Sequence, residues 1–220
     1  MTQTRMVEQL DGLVAKWHLL QHPFYRAWTA GTLSREALEL YAEQYYQHVK
    51  AFPEHLRTLA GRVDGELREV VEENLAEEEN PARPHAKLWR EFAAAVGVND
   101  ERLDKAAPLA GARALTETYE RICAEGRPSA AVAALYVYEA QVPEIATQKI
   151  DGLRRFYGVT ERRGLAYFAV HEEADVRHRA AWREWLSARP AEETEAALQA
   201  GEEALRALWG ALDAVTPQGC

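Results

Sequence analysis

An all-α fold, one domain over residues 1–220 arranged as a bundle of seven or eight helices, is predicted by three observations. Apolar residues recur at helical spacing along nearly the whole chain. No apolar–polar alternation is long enough to make a useful strand. The 220 residues, 47% hydrophobic and 28% charged, suit one substantial core.

Each element has a local reason. Leu10, Leu13, Val14, Trp17 and Leu20 form a first stripe, which Pro23 interrupts. Phe24, Tyr25 and Trp28 then open a short helix. Residues 31–34 read as a turn, with Ser34 capping a long helix through Tyr41, Tyr45, Val49 and Phe52. Pro53 kinks that helix rather than ending it. Helices over 65–79 and 85–96 follow, the second closed by Gly97. Pro81 and Pro84 predict a bent join between them. Residues 99–111, with Pro108 and Gly111, are the least regular, with room for a short turn of helix. A helix over 112–124 ends near Gly126. Pro128 starts a helix that passes Glu139, is kinked at Pro143 and runs to about Tyr157. Thr160 and Glu161 open the next, and Pro190 the last, whose Leu198, Leu205, Leu208 and Leu212 face inward. No internal repeat or low-complexity linker is present.

Composition narrows the function. A net charge of −9 argues against nucleic acid or an anionic membrane surface as a partner. No apolar run reaches the ~18 residues needed to span a bilayer, and residues 1–10 hold no apolar signal core. The only cysteines are Cys123 and Cys220, so a disulfide framework is not expected and the cytoplasm is the expected location. Cys123 reads as a small core residue. A homodimer is compatible with the chain.

The chemistry is concentrated in one stretch. His171, Asp175 and His178 stand at i, i+4 and i+7, on one stripe of a helix with about 3.6 residues per turn. Two imidazoles and a carboxylate at one level are costly to bury alone, and a metal ion uses all three. Further ligands come from two regions. Glu78 and His85 lie seven residues apart, although Glu78 sits in a run of three glutamates that usually reads as solvated surface, and composition does not choose among Glu77, Glu78 and Glu79. Glu139 has apolar flanks, with Glu144 as its competitor. Three carboxylates and three imidazoles from three helical regions suit two iron or manganese ions better than a structural zinc, and Fe/Fe, Mn/Fe and Mn/Mn fit the set alike.

Other residues have ordinary readings. His18, His22, His48 and His55 read as surface groups or as support for a site. Tyr41, Tyr45, Tyr46, Tyr136, Tyr138 and Tyr167 read as amphipathic core, and Lys149 on its own reads as a solvated surface lysine. Neither a Gly-rich phosphate loop nor a Gly-x-Ser-x-Gly context is present.

The run from Tyr136 through Glu139, Pro143 and Lys149 to Gly152, followed by Tyr167-x-x-x-His171-x-x-x-Asp175-x-x-His178, resembles the haem-oxygenase-like dimetal proteins. It is most similar to the family of the chlamydial protein associating with death domains and its bacterial homologues. Glu78 with His85, and Leu88-Trp89 after them, match as well, and the resemblance runs from His22-Pro23-Phe24-Tyr25 to the last helix. It selects Glu78 over its neighbours. It implies the haem-oxygenase-like fold of the thiaminase II and pyrroloquinoline-quinone synthase C proteins. It also implies an oxygen-dependent route to p-aminobenzoate, the folate precursor, using two Fe or Mn ions, molecular oxygen and an external reductant. In that family the enzyme consumes itself. By position, Tyr25 corresponds to the sacrificed tyrosine, Lys149 to the nitrogen donor, and Tyr41 and Tyr167 to tyrosines that relay electrons or protons. Three alternatives stand beside this. The same ligands would serve a dimetal oxygenase acting on a separate small molecule, an amino acid or fatty acid. A thiaminase II type enzyme needs a nucleophilic Cys, and the corresponding stretch 130–134 has none. A non-enzymatic interaction module is the third, although nothing marks a death-domain surface.

Overall fold

Proline, glycine and a few capping side chains set the helix boundaries. The structure, a computed structural model, describes residues 4–216. Among them are α1 (Thr4–Lys16), α2 (Pro23–Ala30), α3 (Arg35–Ala60), α4 (Gly65–Glu78), α5 (His85–Ala95), α6 (Asp100–Lys105), α7 (Ala110–Glu125), α8 (Pro128–Glu139), α9 (Val142–Arg155), α10 (Arg162–Ser187) and α11 (Thr194–Asp213), with no strand. Ser34 Oγ accepts from Ala37 N at 3.2 Å to start α3, and His22 Nδ1 accepts from Phe24 N at 3.0 Å to start α2. Gly31, at φ 70°, ends α2 in the left-handed region where a side chain is strained.

Among the described residues, eleven α-helices stand where a bundle of seven or eight was expected. The short helix expected at Phe24–Trp28 is α2, and the elements beyond those expected are the six-residue α6 and the division of the expected 128–157 helix into α8 and α9. That break falls at Ala140–Gln141, ahead of Pro143, for a physical reason. Pro143 has no N–H to give the Glu139 carbonyl four residues earlier, and its ring crowds that oxygen. Glu139 therefore becomes the last residue of α8. Pro53, by contrast, sits inside α3, which continues as expected.

α8 is the axis of the core: Ser129 through Glu139 are all buried. It packs against α1, α7, α10 and α11, while α10 also packs against α4, α5 and α9. The buried apolar side chains form one cluster, with Trp28, Trp89 and Trp182 each fully enclosed. Burying rings of this size stabilises by on the order of 2–3 kcal/mol apiece. α2 lies close on α9 because Gly152 has no side chain: a Cβ there would meet Trp28 Nε1 at 2.6 Å. This contact brings Tyr25 on α2 toward Lys149 on α9. Among the described residues, no helix is long and apolar enough to cross a membrane.

Candidate metal centre

The stripe on α10 turns His171, Asp175 and His178 inward, and all three are buried. Opposite them stand two helix ends. Glu78 is the last residue of α4, His85 is the first of α5, and the expected bend joins them, with Asn80 Oδ1 accepting from Ala82 N at 3.0 Å. Glu139 ends α8. The six side chains thus come from four helices rather than three regions, and they gather as two trios, Glu78–His85–His171 and Glu139–Asp175–His178. Within each trio the candidate ligand atoms lie within 4.8 Å of one another.

The donor set fits metal ions. His171 Nδ1 lies 2.6 Å from the Tyr167 carbonyl oxygen. A carbonyl only accepts, so this nitrogen carries the proton and Nε2 keeps its lone pair. Asp175 Oδ2, His85 Nδ1 and both ring nitrogens of His178 are buried without a hydrogen-bond partner among the described residues. Glu78 Oε2 approaches His85 Nδ1 to 2.9 Å without hydrogen-bond geometry. Each such group costs about 1–3 kcal/mol when left unmatched, and a cation held among them removes that cost. Burial raises the Glu139 carboxyl to about 8. Burial opposes the His178 cation, but the Asp175, Glu139 and Glu77 carboxylates outweigh it and lift the ring to about 9. His171 is lowered by burial.

Beside the first trio lies a small cavity, lined by Tyr25, Tyr45, Tyr138, Lys149, Tyr167 and His171 among others. The sequence reading of a solvated Lys149 is overturned: its side chain is 5% exposed. Nζ donates to the Tyr41 hydroxyl at 2.6 Å and lies 5.3 Å from the Tyr25 ring centre and 5.1 Å from that of Phe168. Burial is the one resolved cause that drives the amine down to about 7. Tyr25 and Tyr41 hydroxyls are 3.4 Å apart. Burial raises the phenols of Tyr25, Tyr41 and Tyr167 above their ordinary value. The Tyr167 ring stacks obliquely on His171 with centres 4.3 Å apart. All ten residues singled out by the sequence therefore meet in one region.

Some neighbours were missed. Asn74 Nδ2 donates to Glu139 Oε1 at 2.9 Å, and Trp182 Nε1 donates to Glu139 Oε2. Trp182 stands four residues beyond His178, on the same stripe, so periodicity carried a signal for it. His22, His48 and His55 are buried, not superficial. His22 caps α2 and pairs with Asp213 at 3.0 Å, and burial lowers His48 to about 3 and His55 to about 4. The stretch of α8 that would need a nucleophilic Cys holds only buried Ala and Val. Cys123, on α7, is buried and its thiol is pushed up to about 12, the reverse of an activated nucleophile.

A bundle of this shape, with acid–imidazole trios in its core, defines the class of haem-oxygenase-like helical proteins. A solved domain with a haem-oxygenase-like fold from Shewanella denitrificans matches it with a TM-score of 0.78 over 98% of this chain and 92% of that one, at 18% identity. The chain belongs to the family described as iron-containing redox enzymes, which matches residues 39–211. Among relatives, it is 39% identical over 216 residues to the 4-aminobenzoate synthase of Chlamydia muridarum, covering 97% of this chain and 92% of that protein. It is 38% identical over 226 residues to the 4-aminobenzoate synthase of Nitrosomonas europaea, covering 97% and 92%. Family membership and the two buried donor trios together support metal binding.

Proposed function

We propose that this chain makes 4-aminobenzoate in an oxygen-dependent reaction, with Glu78, His85 and His171 holding one iron or manganese ion and Glu139, Asp175 and His178 a second. Tyr25 supplies the aromatic ring and Lys149 the nitrogen. The observation that carries this is the shared wall: His171 belongs to the first trio and also lines the cavity in which Lys149 lies over Tyr25. Relatives named 4-aminobenzoate synthase support the same product.

When bound, the ions supply the electrons that reduce molecular oxygen and the oxidising power that follows. The protein's own residues do the rest. Trp182 and Asn74 orient Glu139, and the Tyr167 carbonyl fixes the His171 tautomer. Burial disfavours a Tyr25 phenolate, so the electron and the proton of this phenol leave together. The Tyr41 hydroxyl oxygen, 3.4 Å away, stands ready to accept that proton. Lys149 is half neutral near pH 7, which leaves a lone pair for bond formation to the ring beneath it.

Intact-mass and peptide mass spectrometry test the reading. The protein is incubated with iron(II) or manganese(II), oxygen and a reductant. The expected result is about one 4-aminobenzoate per chain, with side-chain mass lost at Tyr25, and no product from Tyr25→Phe. An intact chain that still forms product from an added small molecule would instead make the substrate external.

A further inference from the structure

An open cleft runs between the 79–84 join and the outer face of α10. It lies outside the tyrosine–lysine cavity but shares a wall with the proposed metal centre. His85, 6% exposed, is part of its lining. The His85 ring centre is 4.5 Å from that of His171, which lines the cavity. The pair of imidazoles therefore separates two compartments.

The cleft carries three arginines. Arg177 is matched by Glu77 at 2.7 Å. Among the described residues, Arg83 and Arg162 make no side-chain hydrogen bond or ion pair, although both line the cleft. Glu77 and Glu173 line the cleft as well, but the three guanidinium groups outnumber the two carboxylates, which in a chain of net charge −9 favours an anionic ligand there. Between them α10 presents Ala166 and Ala169, which leave room for a flat ring.

We propose that this cleft binds a small anionic two-electron reductant, and that its electrons enter the metal centre through His85, on the side away from Tyr25. The inference rests on the metal centre proposed above. The donor, of the dihydroflavin phosphate class, gives up two electrons and two protons and leaves oxidised. Two trivalent ions held by the six side chains would each take one electron, and the protons would pass to water at the cleft mouth. The arrangement keeps the reductant from meeting an oxidised Tyr25.

Flavin mononucleotide and riboflavin share a ring system and differ in the phosphate, so they isolate the charge. Fluorescence titration of the protein should show flavin mononucleotide binding about tenfold more tightly than riboflavin, with Arg83→Gln/Arg162→Gln erasing the difference. Anaerobic stopped-flow reduction of the ferric protein, followed by its absorbance, should slow about tenfold in the same variant with reduced flavin mononucleotide. Reduction by the methyl viologen radical cation should not change. Equal affinity for the two flavins, or a double variant that accepts electrons from reduced flavin mononucleotide at the unmodified rate, would overturn the proposal. The titration reads binding whatever the metal content and whatever the product, so failure of the cleft and failure of the metal centre are distinguishable.

Discussion

The Glu139 trio and the Glu78 trio use the same kinds of side chain, yet neighbours brace them differently. Glu139 is held from both sides by Asn74 and Trp182, and its partners Asp175 and His178 are one turn apart on a single helix. Glu78, His85 and His171 come from three helices across a proline-broken join, and among the described residues no donor makes a hydrogen bond to the Glu78 carboxylate, although His85 Nδ1 lies 2.9 Å from it. Both trios are gathered, but only the Glu139 trio is braced by hydrogen bonds to its carboxylate. Pre-organised ligands lose less freedom on binding, so the Glu139 trio is expected to fill first.

The largest effects come from the ligands themselves. His171→Ala should leave about one ion per chain, held by the Glu139 trio, and Asp175→Ala should remove the ion from that trio. Both should abolish 4-aminobenzoate formation while circular dichroism remains helical. Metal analysis that finds two ions in either variant would break the comparison at its base.

Bracing is tested next. Trp182→Phe and Asn74→Ala each remove a donor to Glu139 and should weaken the ion at that trio by about 10–100-fold, with the Glu78 trio unchanged. Competition titration with a chelator reads both affinities. Equal losses at the two trios would mean that the braces act on the whole bundle.

Protons sharpen the contrast. Glu139 is raised by burial and His178 by its carboxylate neighbours, so the metal-free Glu139 trio holds protons at pH 8, whereas burial keeps His171 neutral. An ion must expel those protons. Its affinity at the Glu139 trio should fall about tenfold per pH unit for each proton displaced, between pH 9 and pH 7, and change less at the Glu78 trio. Without metal the sign reverses. The raised His178 contributes stability that is full below about pH 6.5 and is lost as pH rises through about 9.

The smallest effect lies in the cavity. Lys149 is lowered from 10.5 to about 7, so the unfolded chain takes up its proton first as pH falls. Stability is therefore lost from about pH 10.5 down to about 7 and is constant below. Lys149→Met should stabilise the protein at pH 7 by about 1–2 kcal/mol, after the bond to Tyr41 is lost. The gain should vanish toward pH 10.5, with metal affinity untouched. Denaturant unfolding at several pH values measures it.

Much of this centre was legible in the sequence, and what was not has physical reasons. His171, Asp175 and His178 announced themselves because helical period alone aligns them. Glu78 did not, because a glutamate run at a helix end offers one residue to each direction. Glu77 turns to Arg177, Glu79 to Arg57, and only Glu78 turns inward. The resemblance chose it, not the spacing. Lys149 was read as solvated from its residue type, although Ile145, Ala146 and Leu153 place it on the buried stripe of α9. His48 and His55 were undervalued in the same way, between Tyr45, Phe52 and Leu59 on α3. Residue type is a weak guide where the amphipathic stripe is polar, and stripes turn polar where sites are built.

Anomalous scattering at the iron edge, from crystals of the protein grown with iron(II), tests the central claim most directly. Two peaks are expected, one amid Glu78, His85 and His171 and one amid Glu139, Asp175 and His178. No peak among these six side chains in fully iron-loaded protein would contradict the account.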